Sequence, residues 1–119
     1  MANVTLSQDN FEEVSSQGTV FIDFWAAWCP PCQRFAPVYE QVAEVNPDIV
    51  FAKVDVEAQP ELAARFDIRS VPTLLVIRDR IQVFARGGAL PGHVLQELVD
   101  AVRTLDMDLI REALAQQAQ

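Results

Sequence analysis

The chain has 119 residues, 50% hydrophobic and 22% charged, with 9 basic and 17 acidic residues for a net charge of −8. That length suits one domain with its own core, and that balance excludes a wholly disordered chain. The acidic surplus repels phosphate backbones and anionic lipid, so neither nucleic-acid nor membrane-surface binding is expected.

In chain order, Ser7 or Asp9 is placed to cap a short helix over residues 10–16, which Gly18 ends. "TVFIDFW" (Thr19–Trp25) is β-branched and aromatic and reads as a buried strand. From 31 to 44, Phe35, Val38, Tyr39 and Val42 recur at helical spacing, and Asn46-Pro47-Asp48 breaks the pattern. Residues 49–56, "IVFAKVDV", form a second strand. Residues 60–66 form a helix opened by Pro60. Residues 72–77, "PTLLVI", form a third strand, and "RDR" turns the chain back into 81–85. A helix over Gly92–Arg103 carries Val94, Leu95, Leu98, Val99 and Val102 on one face. Strand–helix–strand units followed by a hairpin predict an α/β fold. Its central sheet is mixed and mostly parallel, with an antiparallel hairpin and helices on both faces.

Both cysteines of the chain fall in "WCPPC", directly after the first strand. A bridge across so short a loop stabilises little, so the spacing points to chemistry rather than stapling. A zinc site needs four ligands; Cys29, Cys32 and the polar-flanked His93 cannot close one within a single chain, so no metal is expected. Residues before proline avoid the α region, which predicts a helix starting no earlier than Pro31. Cys29 then lies just outside the helix N-terminus, facing the free N–H groups of Cys32 and Gln33. This predicts a lowered pKa for an exposed Cys29 nucleophile and a neutral, shielded Cys32. Cα atoms bracketing such a turn lie roughly 5–6 Å apart, within disulfide range. Pro30 and Pro31 hold the loop in one shape for either redox state.

Asp23 stands inside an otherwise apolar strand, six residues before Cys29 and nine before Cys32. Buried, it gains a raised pKa and can take a proton from the second thiol. Lys53 is a candidate charge partner. Pro72 heads its strand without a ladder donor, leaving an edge open to a partner's backbone. Pro37 interrupts the bond to the Gln33 carbonyl within its helix.

With "VFIDFWAAWCPPC", Pro37, "FAKVDVE", "RFDIRSVPTLLVI" and "GGALPGHVLQELVDAV" in place, residues 6–104 resemble the thioredoxin family. The resemblance implies a thioredoxin fold and reversible dithiol–disulfide exchange. Cys29 resembles the attacking thiol, Cys32 the resolving thiol, and Asp23 the buried acid, with Lys53 near it. Trp25 and Trp28 resemble the tryptophans flanking the site, and Pro72 the cis-proline facing it. Val71, Gly88 and Ala89, with Pro30, resemble the rim that receives a substrate segment. The family's usual Gly-Pro between the cysteines is Pro-Pro here, as in tryparedoxins, which predicts a less reducing pair.

The expected activity is a protein disulfide reductase, monomeric and without bound cofactor, reset by a flavoprotein reductase. Competing readings are an exported oxidant or isomerase and a non-enzymatic binding module. "MANVTLSQDNFEE" has no basic-then-apolar signal pattern, and stretches such as "VPTLLVI" are too short to cross a bilayer, so the cytoplasm is expected. The expected division is a domain over 1–105 and a helical extension over 106–119. In that tail Met107, Ile110 and Leu114 share a face that Asp106 caps.

Overall fold

The apolar run "TVFIDFW" forms the centre of the molecule. In the computed structural model, which describes residues 3–118, it is strand β2 (Thr19–Trp25). Around it lie β1 (Asn3–Thr5), β3 (Val50–Asp55), β4 (Thr73–Arg78) and β5 (Ile81–Gly87), in the order β1-β3-β2-β4-β5. The first three strands are mutually parallel, β4 runs antiparallel to β2, and β5 antiparallel to β4. Among the described residues there are five helices: α1 (Phe11–Ser15), α2 (Pro30–Glu44), α3 (Pro60–Arg65), α4 (Gly92–Arg103) and α5 (Met107–Gln117).

Strict alternation along β2 sends its side chains into two cores. Val20, Ile22 and Phe24 join Leu6, Phe11, Val14 and Leu62 on the α1 and α3 side. Phe21 joins Phe35, Tyr39, Leu95 and Val99 on the α2 and α4 side. There Phe21 stacks on Phe51 at 5.1 Å, and Tyr39 meets Phe51 edge-on at 5.3 Å. The Tyr39 hydroxyl donates to the Ala52 carbonyl at 2.8 Å, so this buried phenol is satisfied.

Strand β1 is absent from the sequence reading. It has three residues at a sheet edge, with two side chains exposed, too short for a periodicity to register. The cap of α1 is also corrected. Asn10, not Ser7 or Asp9, is the N-cap, and it makes no side-chain capping bond. Its side chain accepts from the Ser7 N–H and donates to the Thr5 carbonyl, closing the turn between β1 and α1. Gly18 lies beyond the helix end, at φ +80°, where its carbonyl accepts from the Asp79 N–H. Asp79 and Arg80 both adopt positive φ, the primed turn whose twist suits a two-residue hairpin. β4 starts at Thr73, one residue after Pro72, and β5 runs on to Gly87.

Helix α5 is capped as expected, by the Asp106 carboxylate accepting from the Leu109 N–H at 3.1 Å. Only its first turn is deeply seated: Met107 is buried, whereas Leu114 is exposed. Arg111 ties the helix to Asp79 in the hairpin turn at 3.4 Å. Among the described residues, no helix is long and apolar enough to cross a membrane.

Candidate active site

The loop after β2 is fastened before it reaches the cysteines. The Trp25 carbonyl accepts from the Val56 N–H, and the Ala26 carbonyl from the Cys29 N–H. Cys29 is the N-cap of α2, with Pro30 and Pro31 as the first helical residues. The helix thus begins one residue earlier than expected. The Gln33 N–H bonds the Cys29 carbonyl at 3.1 Å and closes a turn that encloses Pro30. Both prolines occupy positions where no intrahelical donor is needed.

Cys29 and Cys32 form a disulfide, with Cα atoms 5.2 Å apart. The Cys32 N–H points at Cys29 Sγ from 3.2 Å. The Gln33 N–H goes instead to the Cys29 carbonyl, so one donor, not two, faces the sulfur. The expected contrast between an exposed and a shielded cysteine is not present in this bonded state. Cys29 is 2% exposed and Cys32 3%. Both cysteines belong to a small cluster with Ala26, Trp25, Val56 and Val71. What distinguishes Cys29 is its outlook: its Sγ lies 3.6 Å from the Val71 carbonyl, at the rim of an open groove.

That groove, of about 170 Å³, is lined in part by Trp28, Val56, Ile68 and Val71. Trp28 is 64% exposed, and its indole N–H donates to Glu57 at 2.7 Å. The Val71–Pro72 peptide is cis. The Pro72 carbonyl accepts from the Gly88 N–H at 2.8 Å, which brings the exposed Gly88 and Ala89 beside Pro72. Pro37 lies within α2, which continues through it. His93 is exposed on α4, away from any cluster able to hold a metal among the described residues.

Asp23 is fully buried, and neither carboxyl oxygen has a hydrogen-bond partner among the described residues. On β2 it shares a face with Phe21 and Trp25, so it faces the side that α2 covers. Its lateral neighbours are Lys53 on β3 and Leu74 on β4. Burial pushes its pKa from 3.8 up to about 7, against a smaller opposing pull from the Lys53 charge. Lys53 is therefore adjacent, as expected, but it is not a bonded partner. Its ammonium lies 5.0 Å over the Trp25 ring, a cation–π contact. Glu57, Val56 and Ile68 complete the site without having been singled out in the sequence. Glu57 had one available signal, an acid just past the end of a strand that runs parallel to the site loop.

Comparison with known proteins agrees with this geometry. The thioredoxin family model matches residues 2–101. The chain is 52% identical over 117 residues to a Streptomyces coelicolor protein assigned as thioredoxin 2, covering 98% of this chain and 87% of that one. It is 40% identical over 101 residues to a thioredoxin of Bacillus subtilis, covering 84% and 97%. A thioredoxin variant from Halobacterium salinarum superposes with a TM-score of 0.80 at 34% identity, covering 87% of this chain and 92% of that chain. With a matched model over most of its length and a disulfide seated at the start of α2, the chain belongs to the thioredoxin family and is a thiol–disulfide oxidoreductase.

Proposed function

We propose that this protein reduces disulfides of other proteins through the Cys29-Pro30-Pro31-Cys32 turn, with Cys29 as the attacking thiol. The observation that carries the assignment is the Cys32 N–H aimed at Cys29 Sγ from the first turn of α2. That donor and the helix dipole stabilise a thiolate there. The Cys29 thiolate attacks one sulfur of the substrate disulfide, and the other leaves as a thiolate and takes a proton. Cys32 then gives its proton to Asp23, and its sulfur attacks Cys29 in the mixed disulfide. The second substrate thiol departs, and the Cys29–Cys32 bridge remains. Two electrons pass from the pair to the substrate.

Asp23 suits the proton-accepting role because its pKa of about 7 lies near working pH. Lys53 tunes that carboxylate through its charge, and Trp25 holds Lys53 in place. Trp28, Pro30, Val71, Pro72, Gly88 and Ala89 form the surface on which the substrate segment rests. A flavoprotein reductase resets the bridge, and the chain itself binds no cofactor. The protein works as a cytoplasmic monomer, with residues 1–105 as the catalytic domain and 106–119 as an appended helix. The Pro30-Pro31 turn makes the pair less reducing than a Gly-Pro turn; equilibration against glutathione measures that difference.

Insulin reduction by single-cysteine variants tests the assignment. Cys29→Ser abolishes turnover and forms no adducts. Cys32→Ser fails to turn over but accumulates mixed disulfides with substrate. Equal residual activity in the two variants overturns the assigned roles.

A further inference from the structure

The groove beside the disulfide does not end at Val71. Its wall of Ile68, Arg69 and Ser70 is shared with a second cleft of about 220 Å³, which follows β5 along Ala85, Arg86 and Gly87. β5 is the last strand of the sheet, so the cleft opens at a free edge. At the junction, a Cβ on Gly87 would stand 3.0 Å from Ser70 Oγ, so glycine lets the strand pass close to that wall.

The charges in this second cleft oppose those of the whole molecule. The protein carries −8 overall, yet the cleft is lined by Arg69, Arg86 and a single acid, Asp67. Arg69 pairs with Asp67 at 3.1 Å, but both side chains are largely exposed, so the pair is weak and readily exchanged. Among the described residues, the Arg86 guanidinium makes no hydrogen bond or ion pair. At the first groove, the exposed Glu57 holds the Trp28 indole and presents negative charge. A segment that spans both clefts therefore meets Glu57 on the Trp28 side, and Arg86 with the shared Arg69 on the β5 side.

We propose that the Arg69–Arg86 cleft is a specificity subsite that receives an acidic side chain of the substrate protein, on one flank of the disulfide being reduced. The inference rests on the reductase reading and adds to it a charge preference with a direction. The remaining acidic surface repels such a segment, and this cleft selects the one orientation that is tolerated.

The test uses the reduced full chain and synthetic peptides closed by an internal disulfide. The peptides are identical except for a Glu-Glu, Gln-Gln or Lys-Lys pair, placed on either flank. Single-turnover rates are read from thiol release. The Glu-Glu peptide is expected to react about two- to fivefold faster than Gln-Gln on one flank only, with the gap closing at high salt. Arg86→Gln removes the preference without changing the Gln-Gln rate, and Arg86→Glu transfers it to the Lys-Lys peptide. Arg111→Gln makes the same change in net charge on α5 and leaves the preference intact. Equal Glu-Glu and Gln-Gln rates with the unaltered protein overturn the proposal, as does a preference that survives Arg86→Gln. Failure to reduce even the Gln-Gln peptide breaks the reductase reading itself.

Discussion

Along β2, neighbouring side chains enter two cores, and the strand brings a carboxylate into only one of them. On the α1 and α3 side, Val20, Ile22 and Phe24 are all apolar and fully buried. On the α2 and α4 side, Phe21 is followed by Asp23, equally buried and without a hydrogen-bond partner among the described residues. One core is built for stability alone. The other carries a carboxyl whose ionisation works against folding, placed on the sheet face over which α2 presents the disulfide. In the proposed mechanism, this is where the fold gives up stability for chemistry.

Adjacent substitutions should therefore have opposite signs. The largest expected effect is at Phe24, which packs 6.0 Å from the Phe66 ring. Phe24→Ala should cost about 3–5 kcal/mol in urea unfolding. A loss under about 1 kcal/mol would show that this core can collapse around a void.

Asp23→Asn should do the reverse. The folded pKa of Asp23 lies above its unfolded value, so the folded state binds the proton more tightly. Stability is then greatest below the unfolded pKa near 3.8, falls as pH rises, and reaches its floor above about 7. That span corresponds to about 4 kcal/mol as an upper scale. Asparagine mimics the protonated acid, so the variant should gain stability at pH 8 and gain nothing at pH 3. Urea titrations at the two pH values measure it, and a gain independent of pH would remove the ionisation argument. The same variant should slow release of the mixed disulfide and flatten its rise through pH 7.

A third effect sharpens the comparison at the far end of the α2 and α4 side. Arg78 donates to the carbonyls of Val102 and Leu105 at 2.7 and 3.1 Å, capping the end of α4. Arg78→Met should cost about 2 kcal/mol by removing those charge-assisted bonds, even though the Val102 carbonyl keeps the Leu105 N–H, without altering insulin turnover. The smallest effect lies outside both cores. Asp106→Ala removes the cap of α5 and should cost about 1 kcal/mol, read as lost helicity or a lower Tm. A larger loss would mean that α5 supports the domain well beyond the buried Met107.

Much of the fold was legible because its signals are local. The run at 19–25 and the helix at 92–103 were bounded correctly, since burial and helical spacing leave complete patterns within a few residues. Asp23 stood out for the same reason, as a charge interrupting an apolar run. Strand β1 was not legible, because three residues pair only through a β3 that lies far along the chain. Lys53 was placed beside Asp23, yet its contact with Trp25 depends on how three side chains share one sheet face. Glu57 reaches Trp28 from 29 positions away, beyond any motif. The equal burial of the two cysteines depends on Val71 and Val56 closing over them, which no spacing within "CPPC" encodes.

The sequence by itself determined the strand and helix pattern, the redox pair and its proline-held turn, and the oddity of a buried acid, because each is written in contiguous residues. Tertiary structure alone decided what surrounds that pair: which N–H faces the Cys29 sulfur, how far burial raises the Asp23 carboxyl, and which arginines border the groove. Those properties arise from distance and solvent exclusion between segments far apart in the chain, and only packing brings those segments together.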